Sequence, residues 1–207
     1  SGRVPAALNN IVGLKPTLGA FSASGVVPAC RTLDTVSVFA LTVEDAYKVF
    51  QAAAVYDALD AYSRPIGAPD LAPLPAHFCI GVPNAATLEF FGDEHQAKSF
   101  AAAVRSLEAL GGEVIDIDFT LFYQVAQMLY EGAWVAERYT VVEELLRKNP
   151  EALHPITRKI ISLAEKFSAA DAFLGIYRLE SLKQRLKPTI DAVDLLCVPS
   201  IPTFYSL

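Results

Sequence analysis

Apolar positions along the chain change period several times, and each change marks an element. Val43, Ala46, Tyr47, Phe50 and Ala54 recur at helical spacing behind Thr42, a good N-cap with Asp45 three positions on, so a helix near 43–60 is predicted. Residues 1–41 are rich in small and turn-forming side chains. Their short apolar runs, Ile11-Val12-Gly13-Leu14 and Val36-Ser37-Val38-Phe39, read as short strands between loops. Arg64 to Pro75 holds four prolines and reads as an extended connection.

The clearest unit follows. Phe78-Cys79-Ile80-Gly81-Val82 is a short apolar strand, Glu94 to Leu110 has helical periodicity, Gly111-Gly112 stops it, and Val114-Ile115-Asp116-Ile117 opens another strand. A strand-helix-strand unit implies parallel pairing and hence an α/β layer architecture. Helical patterns continue through 120–148, 156–167 and 169–187, the last with Ser168 as cap and Asp171 three residues later. Leu195-Leu196-Cys197-Val198 reads as a buried strand before Pro199, and no internal repeat of fixed period interrupts the series.

Composition narrows the classes. With 207 residues the chain has the length of one or two domains and enough to bury roughly two thirds of its unfolded surface. Hydrophobic residues at 53% against 19% charged exclude a natively unstructured chain, a collagen and a coiled coil. Seventeen basic against twenty-three acidic residues give a net charge of −6, which opposes phosphate attraction, so neither nucleic acid nor an anionic membrane is expected as a partner. Cys30, Cys79 and Cys197 are odd in number and widely spaced, suiting neither a disulfide scaffold nor a zinc site and fitting a reducing, cytoplasmic setting.

A mean hydropathy of +0.33 raises the question of a membrane span. The longest uncharged stretch, Leu71 to Leu88, is broken by Pro73, Pro75 and Pro83 and cannot form a spanning helix. The first residues lack the basic region and apolar core of a signal peptide. The apolar surplus instead fits part of a larger domain whose remaining chain covers some of these faces, and the abrupt start and stop of the sequence agree with that.

Few side chains advertise chemistry by spacing alone. His77, His95 and His154 form no metal or triad pattern and read as structural or solvent-facing. Asp116 and Asp118 share one strand face, where paired carboxylates can divide acid and base work, but polar positions at a strand end explain them as well. No glycine-rich phosphate-binding pattern occurs.

Four segments in order carry more: Ser1-Gly2-Arg3-Val4-Pro5-Ala6, Val12-Gly13-Leu14-Lys15-Pro16-Thr17, Thr32-Leu33-Asp34-Thr35-Val36-Ser37-Val38-Phe39-Ala40 and Thr42-Val43-Glu44-Asp45-Ala46. In order and spacing they resemble the amidase signature family. The Leu33–Ala40 wording and the later Tyr130-Glu131-Gly132-Ala133-Trp134-Val135-Ala136-Glu137-Arg138-Tyr139 look most like the allophanate hydrolases of that family, including those fused in urea amidolyases. Val198-Pro199-Ser200-Ile201-Pro202-Thr203 is similar to its late strand and Pro-Thr turn.

The resemblance implies an amidase signature fold, a mixed β-sheet core covered by helices and present here only in part. Residues 1–207 would be the central part of a single amidase domain, without the N-terminal segment bearing the catalytic lysine and bridging serine and without the C-terminal segment. It further implies a Ser-cis-Ser-Lys triad in which a lysine, acting through a bridging serine, activates a nucleophilic serine, a hydroxyl that is almost never ionised unaided. Ser1 occupies the nucleophile position. Lys15 follows the nucleophile and does not inherit the base role. Arg3 reads as a buried organiser of the serine loop. The Ser1 amide belongs to a backbone oxyanion hole whose other donors lie upstream.

The substrate implied is allophanate, an N-carboxylated urea broken down to ammonia and carbon dioxide in urea degradation. Tyr130 and Arg138 lie eight positions apart, about 80° and 12 Å on a continuous helix. Arg138 can therefore reach back to Tyr130 and hold a carboxylate with it. An amphipathic helix with Arg138 paired to Glu137 or Glu144 is the plain alternative, and Gly132 disturbs a continuous helix in either case. No metal or organic cofactor is needed. A homodimer and a functional link to a biotin-dependent urea carboxylase are further implications. Three rivals stay open: another amidase of the family, an N-terminal-nucleophile hydrolase using the α-amine of Ser1 as base, and a non-enzymatic interaction domain.

Overall fold

The structure, a computed structural model, describes residues 2–132 and 134–205. Its most regular part is the expected strand-helix-strand unit: β3 (Phe78–Pro83), α3 (Glu94–Ala109) and β4 (Gly112–Ile117). The Asp93 carboxylate accepts the Gln96 backbone N–H at 3.0 Å and starts α3; Gly111, at φ +99°, ends it in the left-handed region that favours glycine. β3 and β4 pair in parallel from Phe78 opposite Gly112 to Pro83 opposite Ile117, and β5 (Leu195–Leu196) pairs in parallel on the other edge, giving the order β4-β3-β5. Phe78, Ile80 and Val82 are buried on this central strand, with Phe100, Val104 and Leu107 of α3 packed on them. Each such side chain fully removed from water stabilises the unit by about 1.5–3 kcal/mol before entropy is counted.

A second, smaller unit precedes it. β1 (Val12–Leu14) and β2 (Val38–Ala40) pair antiparallel, Val12 opposite Ala40, and α2 (Val43–Ala53) lies over them with Ala46 fully buried against Phe21 and Val38. Thr42 caps α2 as its spacing with Asp45 predicts, its hydroxyl accepting the Asp45 N–H at 3.1 Å. The helix stops at Ala53, short of the expected residue 60. Asp57 and Asp60 take up the Leu59 and Tyr62 backbone N–H groups, each at 2.9 Å, and these aspartate turns replace further helix.

Other expectations need correction. A six-residue helix, α1 (Arg3–Leu8), stands where loop was expected; Pro5 is tolerated in its first turn, and Asn10, at φ +51°, leaves it through the left-handed region. The pattern over 120–148 is two helices, α4 (Thr120–Glu131) and α5 (Trp134–Lys148). That over 156–167 is α6 (Pro155–Ile161) followed by a 3-10 turn (Ser162–Lys166). α7 (Ala169–Asp191) opens on the Ser168–Asp171 capping box and runs through Pro188, past the expected end at 187. The last strand is two residues long, and Leu195 and Leu196 are 37% and 38% exposed, because described chain covers only one of its sides.

Candidate functional site

Gly132 makes the joint on which the site is built. Its backbone is extended, φ −123° and ψ −170°, and a Cβ there would stand 2.9 Å from the Met128 carbonyl oxygen, so a side chain cannot enter without moving α4. The chain turns at this point, the Val135 N–H bonds to the Gly132 carbonyl at 3.0 Å, and fully buried Val135 anchors the start of α5. The expected route from Tyr130 to Arg138 along one continuous helix is therefore wrong. The two side chains nevertheless meet across the joint, with the Arg138 guanidinium carbon 5.2 Å from the centre of the Tyr130 ring. That is cation–π distance, and it sets a guanidinium fork over the face of a phenol ring.

Arg138 is half-buried and Tyr130 exposed. Arg138 also lines a cavity of about 360 Å³ whose other walls include Pro28, Ala29, Val141, Val142 and Ile160. With so apolar a lining, a charge pairing with that guanidinium is screened less than it would be in open water.

The residue before it does different work. Glu137 accepts the Thr32 backbone N–H at 2.7 Å, the Thr32 hydroxyl at 2.7 Å and the Cys30 thiol at 3.0 Å. It is not the partner of Arg138, and Glu144 pairs instead with Lys148, so the proposed Arg-Glu pairings within α5 are not formed. Burial, followed by the bond to Glu137, pushes the Cys30 thiol up to about 12 and keeps it protonated as a donor. Asp34 folds the same loop from within, accepting the Ala29 and Cys30 N–H groups at 2.9 and 3.0 Å. Sequence reading gave Glu137 no such role. Its partners are more than a hundred positions away and share no spacing with it.

Ser1 lies outside the described residues. Gly2, next to it, is packed on the far end of the same loop: a Cβ at position 2 would lie 2.6 Å from the Ser37 Oγ. Arg3, expected to be buried, is exposed, because α1 lies at the surface with only Ala6 buried. Its Nη2 donates to the Pro199 carbonyl at 3.2 Å and ties α1 to the turn after β5.

Of the remaining candidates, His154, Asp118 and Lys15 have structural partners. His154 caps α6, its Nδ1 accepting the Ile156 N–H at 3.4 Å. Asp116 and Asp118 are both exposed, and Asp118, at the start of α4, has its carboxyl held below the usual range by the Thr120 hydroxyl and then by the Thr120 N–H that it accepts. Lys15 is exposed and donates to the Pro16 carbonyl. Among the described residues no cluster of three or more His, Cys, Asp or Glu side chains could hold a metal, and no helix is long and apolar enough to cross a membrane.

Comparisons with known proteins identify the family and the fold. The family profile described as Amidase matches residues 1–205. A urea amidolyase of Lachancea kluyveri is 43% identical over 205 residues, covering 98% of this chain and 11% of that protein. A selenomethionine-substituted Kluyveromyces lactis allophanate hydrolase superposes with a TM-score of 0.94 at 43% identity, over all of this chain and 34% of that one. The urea amidolyase structure of the same yeast superposes with a TM-score of 0.93 over 12% of its length. The chain thus spans about a tenth of the urea amidolyases and a third of the allophanate hydrolase it matches. The α/β fold is the amidase signature fold, present in part.

Proposed function

The chain belongs to the amidase family, and on that premise we propose that the protein carrying it hydrolyses allophanate. The observation that supports this most is the Arg138 guanidinium held 5.2 Å from the Tyr130 ring centre at the α4–α5 joint. A very small substrate offers few handles. Allophanate has one anionic group, and a guanidinium fork with an adjacent phenol suits it.

In this mechanism Arg138 pairs with the substrate carboxylate and Tyr130 donates its hydroxyl to the same group. The Ser1 Oγ then adds to the terminal amide carbonyl carbon, losing its proton to a bridging serine and lysine. Those two come from chain before Ser1, with residues 1–207 as the central part of one amidase domain. The carbon–nitrogen bond breaks, the nitrogen takes a proton and ammonia leaves. Water cleaves the resulting ester, restoring the serine and releasing an N-carboxycarbamate that loses carbon dioxide. Backbone N–H groups around Ser1 face the developing oxyanion. No metal or organic cofactor takes part.

The urea amidolyase relatives support a functional link to a biotin-dependent urea carboxylase that supplies allophanate. A homodimer and a cytoplasmic setting complete the proposal.

The test is ammonia release by the full-length protein from allophanate, malonamate, biuret and simple amides. Arg138→Ala is expected to raise KM for allophanate about 100-fold and Tyr130→Phe about 10-fold, as befits bonds to a charged group. Ser1→Ala is expected to abolish turnover. Equal losses on charged and neutral amides would count against carboxylate recognition. A mature chain that begins at Ser1 and stays active would favour the N-terminal-nucleophile alternative.

A further inference from the structure

Glu137 makes a set of contacts that the proposed chemistry does not use. From the step of α5 next to Arg138, its carboxylate receives three donors from the 30–32 loop: the Thr32 N–H, the Thr32 hydroxyl and the Cys30 thiol. The residues just before that loop, Pro28 and Ala29, form part of the wall around Arg138. Five positions after Thr32, Ser37 meets Gly2, the neighbour of Ser1. Five residue steps cover no more than about 18 Å of chain. One carboxylate therefore fixes α5 to a loop that walls Arg138 on one side and touches the serine segment on the other.

We infer that Glu137 is a positioning residue, setting the substrate-carboxylate grip of Arg138 in register with the loop that reaches the serine segment. The inference rests on the carboxylate reading of Tyr130 and Arg138. Glu137 itself touches no substrate. An exposed ion pair would be a weak clamp, but this carboxylate holds a backbone N–H, a hydroxyl and a thiol on one rigid turn, and charge-assisted bonds of this kind are the strong ones. The thiol stays a donor over the whole working pH range, since burial and Glu137 keep it protonated.

The test compares allophanate with biuret, in which a neutral carboxamide replaces the carboxylate, using full-length protein. Glu137→Ala is expected to raise KM for allophanate about 10-fold or more with a smaller fall in kcat, and to leave the kinetics on biuret within about twofold. Glu137→Gln, which keeps an acceptor for the Thr32 N–H, is expected to recover most of the loss. Thr32→Val approaches the same contact from the loop side with no change in α5, and should move allophanate KM in the same direction by less. In an Arg138→Ala background, Glu137→Ala is expected to add almost nothing. If Arg138→Ala itself leaves allophanate KM unchanged, the carboxylate reading fails and the positioning role falls with it. If Arg138→Ala shows its loss while Glu137→Ala is fully additive to it, or weakens both substrates alike, the positioning role alone is overturned.

Discussion

The β3-α3-β4 unit and the joint between α4 and α5 are held together by different forces. In the first, Phe78, Ile80 and Val82 are buried under an amphipathic helix, and the contacts are apolar, dense and close in sequence. In the second, one glycine sets the turn and one carboxylate ties α5 to a loop 105 to 107 positions away. Packing of the first kind distributes its energy over many atoms. The second concentrates position in a few directional bonds, so small changes there alter geometry more than stability.

Substitutions in each region test that contrast. The largest effect is expected from Ile80→Ala: the side chain is fully buried, and its loss should cost about 2–5 kcal/mol in denaturant unfolding of the full-length protein while KM at low temperature stays near normal. Gly132→Ala should cost less stability, about 1–3 kcal/mol, because the new Cβ forces a local shift against Met128. It should nevertheless disturb allophanate KM more than Ile80→Ala does. The reverse ranking would erase the distinction between the two regions.

A pH experiment probes the polar region alone. The Cys30 thiol is raised in the folded state from 9.0 to about 12, chiefly by burial and then by Glu137. A raised acid means that the folded chain retains a proton the unfolded chain gives up. Its contribution is fully present below pH 9 and is lost as pH climbs toward 12. Wild-type unfolding free energy should therefore fall more steeply over that window than that of Cys30→Ala, with thiolate absorbance at 240 nm rising late. A Cys30 thiolate, isolated as the difference between wild type and Cys30→Ala, that titrates near 9 in the native protein would mean that neither the burial nor the Glu137 clamp is formed.

The smallest effects belong to the surface. Lys98 pairs with Glu94 on α3 and Lys148 with Glu144 on α5, each four residues apart and largely exposed. Replacing either lysine by alanine should change stability by about 0.5 kcal/mol or less and leave KM unaltered. A larger change confined to Lys148 would bring surface charge into the account of the joint.

What the sequence discloses follows the same division. The strand-helix-strand unit is legible because alternation in Phe78–Val82 and helical spacing in 94–110 are local, and the Thr42–Asp45 and Ser168–Asp171 caps are read within four residues. The joint is not legible in this way. Gly132 flags a disturbance, but the apolar spacing runs on past it as though one helix continued, and the clash of a Cβ with the Met128 carbonyl supplies the reason it cannot. The end of α2 is hidden for a related reason, since Asp57 and Asp60 act through side-chain bonds to their own turn rather than through periodicity. Glu137 lies beyond any local rule. The exposure of Leu195 and Leu196 depends on chain outside the two strands themselves, which no pattern within 195–198 records.

On the proposed carboxylate reading, the stacked tyrosine and arginine have a consequence for ligand capture. A free arginine samples many rotamers, and freezing such a side chain on association costs about 0.5–1.5 kcal/mol. With its charge already resting over the phenol ring, Arg138 has given up much of that freedom before any anion arrives. For a molecule of so few atoms, that advance loss of disorder is a sizeable share of the affinity it can ever reach.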